Sequence, residues 1–237
     1  MGTRHDDGVP LVVATANVLG TLGRAEAAEA VEAVLAHRPD LVALQEWHPW
    51  RARVLGRFDD YEWFAPMLGG CAVGALRERF RSLSRRTWPL SPPGRADREG
   101  RLLGLEPPRR AATTVHLDHR TGEHVQTVSF HLASQVQGPD DAYRADRPVL
   151  VARHQREAAA LARLVAGRQE PTYVCGDSNF HGFALPGLVS AWEGRPDGGG
   201  TLGVRRRIDD VLAPRAPVDV LTVATPSDHL AVVATYA

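Results

Sequence analysis

VPLVVATANVLGTLGRAEAAEAVEAVLAHRPDLVALQE, residues Val9 to Glu46, holds three patterns in one short stretch. Val9 to Ala16 is an apolar run with the length of a buried strand, and it ends on the polar Asn17. In RAEAAEAVEAVLAHRPD, Ala, Glu, Val and Leu recur at helical spacing, with Val31, Val34 and Leu35 on one face, until Pro39 stops the pattern. Asp40 to Leu44 is a second apolar run and delivers Gln45 and Glu46. Strand, helix and strand in so few residues form the βαβ signature of a parallel or mixed sheet, because parallel strands need a crossover connection.

The same reading extends outward. Short strands are expected around Tyr61 to Ala65 and Cys71 to Leu76, and AATTVHLD and EHVQTVSFH alternate around the turn HRTG as a hairpin ending in His131. RPVLVARHQREAAALARLVAG is the longest helix candidate, PTYVCGDSNF reads as a buried strand presenting Asp177 and Asn179, and RRRIDDVLAP, DVLTVAT and LAVVATY supply further strands. From about Arg85 to Pro108 the chain is rich in Arg, Pro, Gly and Ser, and the expectation there is a long surface loop. Residues 1–8 read as a short tail and 9–237 as one catalytic domain, a length that can bury a large core.

Composition narrows the chemistry. All 28 basic residues are Arg, so Schiff-base and lysine-nucleophile mechanisms are excluded and any cationic phosphate contact must use Arg. The formal net charge is zero, so no global field attracts a polyanion, although a local basic patch remains open. Two cysteines, Cys71 and Cys175, lie in apolar stretches and read as reduced core residues rather than a disulfide or zinc framework. No apolar run is long enough to cross a bilayer and MGTRHDDGVP has no apolar signal core, so no membrane partner and a cytoplasmic location are expected.

Polar residues recur at one kind of place. Asn17, Glu46, His131, Asp177 with Asn179, Asp209, and Asp228 with His229 each stand at or beside a strand end. A two-sheet core would bring such ends to one rim. Carboxylates and imidazoles with Asn as the neutral partner suit a hard divalent cation, Mg²⁺ above all. Taken singly, Glu46 also reads as a surface carboxylate, Asn17 as a turn former, His131 as an edge histidine and Asp177 as a turn cap.

Six motifs, TANVLG, LQEW, SFHLAS, GDSN, RIDDV and SDHLAV, run in order from Asn17 to His229. Together they resemble the ordered motif set of the endonuclease/exonuclease/phosphatase superfamily, the DNase I-like fold. The resemblance implies an α/β fold: a four-layer sandwich of two mixed β-sheets packed face to face with flanking helices. It implies that Glu46, Asp228 and Asn17 bind Mg²⁺, or Mn²⁺ in its place. Asp177 would position and activate water, Asn179 would hold that water or a phosphoryl oxygen, and His131 would contact the phosphate. Asp209 would orient His229. Arg110 and Arg207 adjoin these strands and are the Arg side chains best placed for substrate phosphate.

Two departures stand out: Ser178 replaces the usual aromatic or apolar residue between Asp and Asn, and Asp210 stands where Tyr is common. His131 replaces the Tyr of base-excision-repair members, which leans toward nuclease-like, sphingomyelinase-like or phosphatase-like branches. His181 and Asp210 carry no family role. The implied activity is metal-dependent phosphodiester hydrolysis, with a phosphoester, nucleic acid included, as the partner. A phosphomonoesterase acting on a small metabolite or lipid headgroup, and a non-catalytic scaffold, are the alternatives.

Overall fold

The computed structural model describes residues 10–97, 104–195, 199–203 and 205–237. The tail expected at 1–8, Val9 and part of the Arg- and Pro-rich segment lie outside these. The opening βαβ unit forms as β1 (Leu11–Asn17), α1 (Arg24–Leu35) and β2 (Leu41–Gln45), with β1 and β2 parallel and Asn17 level with Gln45. A 3₁₀ turn (Pro49–Arg51) and α2 (Ala52–Leu55) follow, then β3 (Tyr61–Phe64), β4 (Cys71–Leu76), β5 (Phe80–Ser91), β6 (Gly94–Arg95), β7 (Leu105–Glu106), β8 (Arg109–Asp118) and β9 (His124–His131). The chain continues through α3 (Pro148–Ala166), β10 (Thr172–Asp177), β11 (Val189–Ser190), β12 (Asp209–Ala213), β13 (Asp219–Val223) and β14 (Ala231–Tyr236).

Two six-stranded mixed sheets result, ordered β13-β14-β1-β2-β4-β3 and β11-β12-β10-β9-β8-β5. Each contains one parallel pair, β1 with β2 and β9 with β10, bridged by α1 and α3 respectively. Strand alternation assigns the layers. In β1, Ala14 and Ala16 pack with Ala27, Val31 and Val34 of α1, whereas Leu11 and Val13 pack with Tyr173, Cys175 and Val211 of the other sheet. Val128, Val174 and Leu212 turn the opposite way onto Leu161 and Leu164 of α3. The order is helix, sheet, sheet, helix. At one end of the sandwich the buried Arg79 pairs with Asp40 and Asp118, both at 2.9 Å, tying β2 to β8 across the sheets.

The expected loop from Arg85 to Pro108 is corrected at its start. Phe80 to Ser91 is an edge strand paired with β8, and β6 and β7 form a small ribbon. Arg81, Arg85 and Arg86 are exposed along this edge, and Pro89 sits at a register shift between Pro89 and Ser91. Charged residues and a bulge-sited proline are what an edge strand carries to resist further pairing, so a composition that resembled a loop belongs to a sheet margin. Both cysteines are free and buried. No helix among the described residues is long and apolar enough to cross a membrane.

Candidate active site

Parity and register place the polar strand ends. His131 follows Val125 by an even count on β9, Asp177 follows Tyr173 and Cys175 on β10, and Asp209 precedes Val211 on β12, so all three side chains share the face between the sheets. Asp177 is level with His131 on one side and with Asp209 on the other. His131 Nε2 lies 3.5 Å from Asp177 Oδ2. From the facing sheet, the Asn17 amide donates to Asp177 Oδ2 at 3.0 Å and to Glu46 Oε1 at 3.4 Å. One amide therefore joins carboxylates from opposite sheets.

Glu46 is held from behind. Its backbone is left-handed at φ 55°, a conformation costing a non-glycine residue roughly 1–3 kcal/mol when other contacts impose it. The Gly20 N–H donates to Glu46 Oε2 at 2.6 Å, and a Cβ on Gly20 would stand 2.8 Å from that same oxygen. A side chain at position 20 would have to push the Glu46 carboxylate end and the His48 ring aside. Arg51, fully buried, supplies the rest: Nη1 donates to the Val18 carbonyl at 2.5 Å and to the Glu46 carbonyl at 3.3 Å, and Nη2 donates to Leu19 and Leu22 carbonyls at 2.7 Å each. Burial pulls the Arg51 guanidinium below the usual arginine range.

The GDSN turn is fixed with equal care. Phe130 O would lie 2.0 Å from a Cβ on Gly176, so that position requires glycine. Asn179 is left-handed at φ 53°, its N–H donates to Asp177 Oδ1 at 2.7 Å, and its side-chain amide donates to the Leu132 carbonyl at 3.1 Å. Beneath it, His154 Nε2 lies 2.8 Å from the Ser178 carbonyl and Nδ1 lies 3.0 Å from the Tyr143 hydroxyl. Glu157, also fully buried, accepts from the Ala133 N–H at 2.7 Å, the Ser91 hydroxyl at 2.5 Å and Arg153 Nε at 2.8 Å, which anchors the chain just beyond His131.

On the third side, His229 Nδ1 lies 2.7 Å from Asp209 Oδ2. Burial works against the imidazolium, but the hydrogen bond and charge of Asp209, with Asp177 and Asp228 behind it, prevail and raise its pKa to about 9. His229 is therefore charged at neutral pH and donates to Asp209. Burial first, then the charge of Asp209, pushes Asp177 up to about 7, against the bonds from Asn179 and Asn17. Thr201 stitches this corner together, its hydroxyl accepting from the Ile208 and Asp209 N–H groups at 3.1 Å each while its carbonyl accepts from Leu230 N–H.

Seven expected residues thus meet: Asn17, Glu46, His131, Asp177, Asn179, Asp209 and His229. Asp228 is exposed at the rim, with Oδ1 4.0 Å from His229 Nε2. Arg110 is half-buried beside Gly69, and its Nε has no hydrogen-bond partner among the described residues. Arg207 sits over the Trp192 ring, 5.1 Å from its centroid, in a cavity lined also by His181 and Asp210. That cavity adjoins the opposite face of β12, where Asp210 accepts from Ser190 Oγ at 2.5 Å and the Ala191 N–H at 3.0 Å. Sequence reasoning missed Arg51, His154, Glu157 and Thr201. The one usable signal was Pro49, whose fixed φ starts the turn that carries Arg51 inward.

Asn17 Oδ1 and Asp209 Oδ1 are buried without a hydrogen-bond partner among the described residues, and Asp177, Asp209 and His229 offer atoms within 4.8 Å of one another. Unsatisfied oxygen donors among crowded carboxylates fit a hard divalent cation. A charged His229 fits the role of internal counter-ion in that trio better than that of ligand.

A two-sheet α/β sandwich with a carboxylate and imidazole cluster on one rim is the class this architecture defines. The endonuclease/exonuclease/phosphatase family model matches residues 14–229, and the chain belongs to that family. Danio rerio TDP2 in complex with a single-strand DNA product is similar in structure, with TM-score 0.70 at 17% identity over 96% of this chain and 99% of that one. The human nocturnin catalytic domain with bound sulfate gives 0.63 at 19% identity, covering 95% and 92%. The Bacteroides thetaiotaomicron mannosyl-6-phosphatase gives 0.64 at 16%, covering 94% and 98%. The structural likeness, at these identities, shows a shared fold. No curated protein matches by sequence.

Proposed function

We propose that the protein is a divalent-metal-dependent phosphoesterase that hydrolyses phosphodiester bonds by in-line attack of water. The observation that carries this reading is the Asn17 amide bridging Asp177 and Glu46, with His131 and Asp209 level with Asp177 on its own sheet. Glu46, Asp228 and Asn17 would hold Mg²⁺ or Mn²⁺. Such an ion polarises the phosphoryl oxygen and offsets its charge when bound. Hydrolysis of this kind depends chiefly on positioning and charge neutralisation rather than on a protein nucleophile.

The chain's own residues then divide the work. Asp177, nearly desolvated and anchored by Asn17 and Asn179, accepts a proton from the attacking water. Asn179 orients that water, and His131 donates to the phosphate. His229, held charged by Asp209, stabilises negative charge on the phosphoryl group as it develops. Arg110 lies on the strand that leads into the site, and Arg109 beside it lines the same cavity as Glu46 and His131, whereas Arg207 is engaged with Trp192.

The fold neighbours include a protein bound to DNA and a sugar phosphatase, so the substrate must be decided by experiment. Bis-nitrophenyl phosphate, nitrophenyl phosphate, single-stranded and duplex DNA, and RNA should be compared after exhaustive chelation and again with Mg²⁺ or Mn²⁺ restored. Diester hydrolysis should disappear and return. Full activity in the chelated protein would defeat the proposal. A nuclease neutralising several phosphates should also lose affinity steeply with salt, whereas an enzyme for a small phosphate should lose little.

A further inference from the structure

Met67 and Leu68, at the turn between β3 and β4, are 79% and 58% exposed. Two adjacent large apolar side chains facing water need a reason when they border a charged site. With Pro107 and Pro108 they line the apolar part of a cavity of about 320 Å³. Its polar part includes Glu46, Arg109 and His131, so this cavity is the mouth of the candidate site itself. Arg109 is buried, and its Nε has no hydrogen-bond partner among the described residues.

The volume lies near the low end of the roughly 300–1,000 Å³ typical of small-molecule sites. It is of a size to take one ring-sized group. A solvated sugar-phosphate backbone would leave Met67 and Leu68 as exposed as before, while an apolar ring would cover them and gain free energy from the area removed from water. Methionine and proline faces also suit a planar ring, since the thioether makes favourable contacts with aromatic edges.

We propose that Met67 and Leu68 form a specificity subsite for a compact, ring-sized apolar group esterified to the substrate phosphate. This rests on the phosphoesterase reading and narrows it. The phosphate is held at the polar part of the cavity and the organic group lies against the β3 to β4 turn.

Phenyl phosphate and methyl phosphate share the anchor and differ only in the group tested. Calorimetric binding to the whole protein with Mn²⁺ present should favour phenyl phosphate by about tenfold or more. Met67→Ser with Leu68→Ser should cut that preference to about twofold, because it removes the apolar contact and leaves the anchor. Methyl phosphate and Mn²⁺ affinities should stay unchanged. Leu83→Ser, an exposed leucine on β5, should keep the wild-type preference. Equal binding of the two probes to the wild-type protein, or a preference that survives the double substitution, overturns the subsite and leaves the phosphoesterase reading standing. Binding of neither probe overturns the subsite, while the phosphoesterase reading falls only if metal-dependent diester hydrolysis is also absent.

Discussion

Replacing Arg51 with Met tests whether the structure behind Glu46 is there to position it. The guanidinium gives three short hydrogen bonds to carbonyls, at 2.5, 2.7 and 2.7 Å, and a longer one to Glu46 O at 3.3 Å. A hydrogen bond to a charged group contributes about 1.5–3 kcal/mol net, so the short ones alone represent roughly 5–9 kcal/mol if they were independent. Removing the buried cation also removes its desolvation cost, several kcal/mol, so a net loss of about 3 kcal/mol is expected. That loss should lower the urea midpoint by about 1–2 M. The more telling readout is Mn²⁺ binding, measured calorimetrically below the unfolding transition. With the Val18 to Leu22 carbonyls released, the Gly20 N–H no longer meets Glu46, and affinity should fall about tenfold or more, as it does when outer partners of metal ligands are lost. Arg51→Lys, which restores charge but not the fork of donors, should fall between. Wild-type Mn²⁺ affinity in Arg51→Met, or a stability loss under about 1 kcal/mol, would show that Arg51 merely fills space.

Two further outcomes follow from the same geometry. Asp209→Asn should lower turnover by roughly 10² with substrate binding much less affected, His229→Ala should do at least as much, and the double variant should be little worse than His229→Ala, because paired residues act as one unit; losses that multiply would contradict the pairing. His116, buried with Nε2 unpartnered among the described residues, has its pKa pulled down to about 4 by burial. Its neutral form is favoured in the folded state. The penalty is therefore absent above the unfolded value of about 6.5 and grows as pH falls toward about 4, reaching about 2 kcal/mol near pH 5. Urea unfolding at neutral and acid pH should show His116→Leu losing that much less stability than the wild-type protein over the interval, and parallel losses would refute it.

The strand ends were legible because alternation and apolar runs report which face a residue takes, and the motif residues stand where those runs stop. His131, Asp177 and Asp209 share a face by parity alone, once β9, β10 and β12 are adjacent. Their adjacency was not legible, since parallel pairing across α3 depends on contacts far apart in sequence. Arg51 was hidden because HPWRAR reads as solvated charge, and nothing local announces four carbonyls converging on one side chain. The error at Arg85 had a similar origin: composition took precedence over the alternation that buries Phe80 and Leu90 at the ends of β5. Trp192 lay outside the motifs, although Ser178, Arg207 and Asp210 of the motifs line the same cavity.

The most direct measurement of the central claim is the rate at which Asp177→Asn hydrolyses bis-nitrophenyl phosphate beside the wild-type protein at saturating Mg²⁺. Asn keeps the volume of Asp177 and its one carbonyl oxygen can still accept from the Asn179 N–H, while its NH₂ can donate to Asn17 Oδ1 once that amide turns over, so the fold should persist. What it loses is the carboxylate that takes the proton from water, a contribution of about 10²–10⁴ in rate. A drop of that size in turnover, with urea unfolding near that of the wild-type protein, is the expected result. Near-wild-type turnover in Asp177→Asn would contradict the assignment of this rim as the place where a phosphodiester is cut.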